Sequence, residues 1–173
     1  MRVLTKEVPP GTSQREAVLE LLKYHFGVSD VVLAHTEAGK PFLPDYPEAE
    51  ISVSHCRTDV AVAIGRRGER IGVDVEEKWA QAERLAKRFS TAEELTLSNE
   101  AGLHPMWFWC TKEACFKAYS DKMRTPYEAV TVTGLTATGD LLAKVADIGA
   151  VRLRKRLLPS GAALVSLLGE KGD

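Results

Sequence analysis

Short runs of Ile and Val alternate with amphipathic segments along this chain, and a strand, helix, strand order occurs twice, once on each side of residue 77. Short strands bounded by turn residues form small sheets that must cover one face with a helix, so an α+β body of two similar halves is expected. At 173 residues the chain is long enough for one domain, or for two small halves sharing a core. We expect a single domain over 1–173, with halves of about 1–77 and 78–173.

Local signals place the elements. Ser13 and Glu16 have capping-box spacing, and Ala17, Val18, Leu21, Leu22 and Phe26 recur at helical intervals up to Gly27, which predicts a helix over 14–26. VVLAH at 31–35 reads as a strand. ISVSH (51–55), VAVAIG (60–65) and IGVDVE (71–76) read as a three-stranded meander. Ala82, Leu85, Ala86 and Phe89 make one helical face, and Thr91 with Glu94 caps a further short helix. Pro105 opens a helix of mostly apolar residues, MWFWCTKEACFKAYS, and strand patterns resume at AVTVTGL, LLAKVADI, AVRLRKRLL and AALVSLL.

Composition excludes several classes of function. A formal net charge of -1 supplies no global field for nucleic acid or for an anionic membrane. The first residues lack the apolar core of a signal peptide, and no run approaches the roughly 18 apolar residues of a membrane span, so a cytoplasmic location is expected. Cys56, Cys110 and Cys115 are odd in number and form no CxxC pair, so they read as reduced thiols.

Chemistry concentrates in two elements. On the 71–76 strand, Asp74 and Glu76 point to one face, with backbone positions roughly 6.5 to 7 Å apart, close enough to converge on one hard cation. Taken alone, such a pair is more often solvated surface than a site. On the apolar helix, Lys112, Glu113 and Lys117 fall within an arc of roughly 140°, with Glu113 and Lys117 as i, i+4 neighbours. Charged groups on a buried helix need partners, whether another residue, a metal or a phosphate, and an internal Glu113–Lys117 pair is the plainest alternative. Three acids and nearby lysines suit Mg²⁺ chemistry on a pyrophosphate.

Taken in order, GKPFLP (39–44), ISVSH (51–55), IGVDVE (71–76), RFSTAEE (88–94) and WCTKEACFK (109–117) resemble the motifs of the Sfp-type phosphopantetheinyl transferases, the larger monomeric class of that superfamily. The resemblance covers about residues 13 to 133 and, more loosely, the tail. It implies a pseudo-twofold fold and transfer of the 4'-phosphopantetheine arm from coenzyme A to a serine of an apo carrier protein of acyl, peptidyl or polyketide type, releasing 3',5'-ADP. By motif position, it implies that Asp74, Glu76 and Glu113 bind Mg²⁺, with Mn²⁺ as a substitute, and that Glu113 or a water takes the serine proton. Lys117 and Lys112 would hold phosphate oxygens, while Arg15, Lys40, Pro41, Ser54 and His55 would grip the rest of the coenzyme. A monomer without nucleic-acid or membrane partners is the corresponding expectation. Two departures, a shorter segment before the first helix and Ser120-Asp121-Lys122-Met123 in place of a glycine-rich turn, bear on carrier choice. A non-catalytic coenzyme A or carrier-binding relative and a metal-dependent phosphoesterase are the alternative readings.

Overall fold

The computed structural model describes residues 1–168 and has four layers. The first is α1 (Gln14–Phe26), whose Ser13–Glu16 capping box and left-handed Gly27 cap (φ 67°) end it where the sequence signals require. Ala17, Val18 and Leu22 pack on Val60, Val62 and Ile64 of a three-stranded antiparallel sheet. That sheet has the order β1 (Arg2–Glu7), β5 (Asp59–Arg66), β4 (Ala49–His55). β5 is buried on both faces, because Ala61 and Ala63 look the other way, toward Val73, Val75 and Leu164 of a second sheet. This explains its continuous apolar run.

The second sheet has five antiparallel strands in the order β6 (Val73–Glu76), β10 (Ala163–Leu167), β9 (Gly149–Leu157), β8 (Leu141–Val145), β7 (Val130–Leu135). Its far face carries α4 (Pro105–Tyr119), with α2 (Trp79–Phe89) and α3 (Ala92–Ala101) beside it. Phe108, Met106, Cys110 and Ala114 of α4 are buried against Val130, Leu141, Leu153 and Val165. A short α5 (Pro126–Ala129) leads into β7.

The α+β class, with small antiparallel sheets and packed helices, is as the sequence indicates. Three details are corrected. The expected three-stranded meander is a β4–β5 hairpin only, because β6 pairs with β10 instead, Asp74 opposite Val165. The 31–35 strand shrinks to β2 (Ala34–His35), paired with β3 (Pro41–Phe42), while Val31 and Leu33 turn into the core against α1. β1 was not anticipated, since RVLTKE mixes charged and apolar residues and sits at a sheet edge. Among the described residues no helix is long and apolar enough to cross a membrane.

Candidate active site

β6 and α4 meet at unusually close range. A Cβ on Gly72 would lie 1.9 Å from the Ala114 carbonyl oxygen, so only glycine lets the helix backbone approach the strand here. That approach lays the Asp74 and Glu76 face of β6 under the Glu113 and Lys117 side of α4. Asp74 is buried, and its Oδ1 accepts from Lys117 Nζ at 2.9 Å and from Ser54 Oγ at 2.8 Å. Lys117 Nζ also donates to the Val73 carbonyl at 3.0 Å. Glu76 Oε1 accepts from the backbone N–H groups of Glu77 and Lys78 at 2.8 and 3.1 Å, which holds that carboxylate at the entry to α2.

Negative charge is crowded in this corner. Burial pushes the half-buried Glu113 carboxyl above its usual range, the Asp74 charge pushes it further, and Lys117 opposes both. Burial, with Asp74 and Glu76 behind it, also raises the fully buried Cys110 thiol, which keeps that sulfur protonated and inert. The Tyr127 hydroxyl is raised by burial and by the Glu113 charge. Among the described residues, no three His, Cys, Asp or Glu side chains are gathered as a ready-made metal site. A shallow apolar pocket lined by Leu85, Phe89 and Trp109 borders Glu76.

Lys112 does not join the cluster, which corrects its expected phosphate role. One residue before Glu113, it is rotated about 100° around the helix. Its ammonium is fully buried, pairs with the equally buried Glu94 at 3.0 Å, and donates to the Val130 carbonyl. A group so enclosed has no path to a coenzyme phosphate. Glu94 in turn accepts from Thr91 N–H in the α3 capping box and from Val132 N–H, so one carboxylate ties together α3, α4 and β7.

The remaining expected contacts are spread along β4. Ser54 reaches Asp74, and His55 is exposed at the same end of the strand. Lys40 pairs with Glu50 near the other end, roughly 13 Å away along the strand, where Lys40, Pro41, Phe42, Glu50 and Arg67 line a separate groove. Arg15 on α1 donates to the Leu33 carbonyl at 3.3 Å. Sequence reasoning missed the roles of Ser52, Glu94, Cys110 and Tyr127. Of these, only Glu94 carried a local signal, its capping-box spacing.

Residues 70–155, which include Asp74, Glu76, Glu113 and Lys117, match the family model of the 4'-phosphopantetheinyl transferase superfamily. Over 115 residues the chain is 28% identical to the 4'-phosphopantetheinyl transferase Sfp of Bacillus subtilis (strain 168), an alignment covering 64% of this chain and 50% of that protein. The chain thus spans about half the length of the curated relative it matches.

Proposed function

We propose that the chain, which matches the model of the 4'-phosphopantetheinyl transferase superfamily over residues 70–155, is an Sfp-type enzyme of that superfamily, moving the phosphopantetheine arm of coenzyme A onto a carrier-protein serine. The observation that carries this reading is the meeting of Asp74, Glu113 and Lys117 at the β6–α4 contact, inside the span that matches the family. In the reaction, the serine oxygen bonds to the phosphorus on the pantetheine side of the pyrophosphate. The bond from that phosphorus to the bridging oxygen breaks, and 3',5'-ADP leaves.

The chain's own residues suit each need. Glu113, with its raised proton affinity, accepts the serine proton, a contribution of about 10²- to 10⁴-fold for such a base. Lys117 is anchored by Asp74 and the Val73 carbonyl with its charge at the cluster, so it can hold a pyrophosphate oxygen as charge develops there. His55 at the end of β4 and the groove around Lys40 and Pro41, with Arg15 on α1, would take the nucleotide end of an elongated coenzyme. Asp74, Glu76 and Glu113 would hold Mg²⁺ or Mn²⁺. They supply anionic oxygens of the kind a hard cation takes, from two elements that face one another, though among the described residues they are not gathered into a ready-made site. When bound, the ion would neutralise part of the pyrophosphate charge.

The test is to incubate the protein with Mg²⁺, coenzyme A and a panel of apo acyl, peptidyl and polyketide carrier proteins, and to read each carrier by intact mass. Addition of the phosphopantetheine arm is expected on at least one of them. No gain on any carrier would sink the transferase reading, and phosphate release without transfer would point to a phosphoesterase.

A further inference from the structure

We propose that Glu77 is a positioning residue for coenzyme binding: its carboxylate clamps the turn between β4 and β5 to the end of β6, and so fixes His55, at the foot of that turn, relative to Glu76. β4 and β6 belong to different sheets and share no ladder of backbone bonds. Side chains join them instead. The N–H groups of Val73 and Val75 donate to Ser52 Oγ and Ser54 Oγ, both at 3.2 Å, and Ser54 also reaches Asp74. Both serines are buried, so these contacts stand in for strand pairing as far as Ser54. Beyond it β4 ends at His55, an exposed residue whose ring has no hydrogen-bond partner among the described residues. The place of that ring depends on what holds the turn.

Glu77 takes over where the serines stop. Its Oε2 accepts from Thr58 Oγ1 at 2.7 Å and its Oε1 from Arg57 Nε at 3.0 Å, so residues 56–58 engage both oxygens. The two arms are unequal. Arg57 is 81% exposed and Glu77 only 16%, so water screens the ion pair and the hydroxyl contact is the sheltered one. Glu77 N–H donates to Glu76 Oε1 at 2.8 Å, so the residue that grips the turn is also joined through its backbone to the adjacent carboxylate of the site. A coenzyme that spans His55 and Glu76 needs their spacing set in advance, because a ligand that must order a loose turn binds less tightly. Asp59, at the start of β5, is a tie of the same turn that leads away from the site, since it accepts from Ser160 between β9 and β10. It supplies the matched control.

This inference rests on the proposed function for His55 as a coenzyme contact, and its test uses no carrier protein, so the two can fail separately. Coenzyme A binding in Mg²⁺ buffer is measured by calorimetry on wild type, Glu77→Ala, His55→Ala and the double variant. Glu77→Ala keeps its backbone N–H on Glu76, so the loss it causes has to pass through the turn. His55→Ala should weaken coenzyme A about tenfold or more, the scale of a hydrogen bond to a charged group, and Glu77→Ala about three- to tenfold. The double variant should bind no more weakly than His55→Ala, since a residue that acts by placing His55 then has nothing left to place. Thr58→Val, which cuts the sheltered arm at nearly constant volume, should repeat the Glu77→Ala loss and carries the test if Glu77→Ala does not fold. Asp59→Ala should lower the thermal midpoint and leave coenzyme A affinity close to wild type. Losses that multiply in the double variant, or an Asp59→Ala loss equal to that of Glu77→Ala, would reduce the clamp to general stability and overturn the proposal. A wild type that binds no coenzyme A would overturn it together with the coenzyme-binding reading, whereas coupled His55 and Glu77 losses without transfer to any carrier would support the clamp and sink the transferase reading alone.

Discussion

Glu113 sits where burial and a neighbouring negative charge act in the same direction, and its response to pH follows from that. The native protein holds the Glu113 proton to higher pH than the unfolded chain does, so above 4.5, the ordinary glutamate value, folding binds protons and stability falls as pH rises toward the raised native value. Glu113→Gln abolishes this linkage. In EDTA, the thermal midpoint of the variant relative to wild type should climb from pH 4.5 toward neutrality, and a difference that stays flat would remove the basis for a raised carboxyl. The same variant should lose about 10²- to 10⁴-fold in transfer rate if Glu113 is the base. Lys112, its neighbour, is a stability residue. Lys112→Ala leaves the Glu94 carboxylate buried without its ammonium, at about 3–5 kcal/mol in urea denaturation. Replacing both partners, Lys112→Met with Glu94→Gln, should recover a large part of that loss, because no uncompensated charge remains.

Elements are set against one another most tightly where β6 meets α4. Gly72→Ala would drive a methyl group into a helix backbone carbonyl that cannot rotate away, so strand and helix must separate. The cost should reach or exceed the upper end of the roughly 1–3 kcal/mol typical of overpacking, and Glu113 and Lys117 should lift off Asp74, with transfer falling more steeply than stability alone would cause. Gly65→Ala is the comparison, since the atom its Cβ meets most closely is the tip of the flexible Glu69 side chain. Guanidinium denaturation and the carrier-modification assay on both variants check this, and equal effects would deny the special closeness of β6 and α4.

At the scale of the whole molecule, the two sheets are joined by apolar packing of Ala61, Ala63, Val73, Val75 and Leu164, and by polar ties at the rim. Asp59, nearly fully buried, accepts from Ser160 Oγ at 2.5 Å, and Glu77 takes Arg57 and Thr58 at 3.0 and 2.7 Å. Asp59→Ala should lower stability by about 1–3 kcal/mol through the partners it strands. Near- and far-ultraviolet circular dichroism should still unfold together, because the sheets share one core; separated transitions would mean that the halves fold independently. Much of this architecture was legible in the chain. Capping boxes at Ser13 and Thr91, the stop at Gly27 and the alternation in IGVDVE are local, since hydrogen-bond geometry and side-chain period act over a few residues, and they place Asp74 and Glu76 on one face without reference to anything distant. Motif order carried the family resemblance. Which neighbour each face would meet was not encoded locally. Periodicity says that a face is buried, not by what, so β6 read as part of a meander although β10, some ninety residues later, supplies its partner edge. Lys112 and Glu113 read alike on an apolar helix. Only the tertiary structure, by putting Glu94 behind one and Asp74 in front of the other, made the first a core ion pair and the second a candidate base, because a buried charge takes its role from the partner within reach of it.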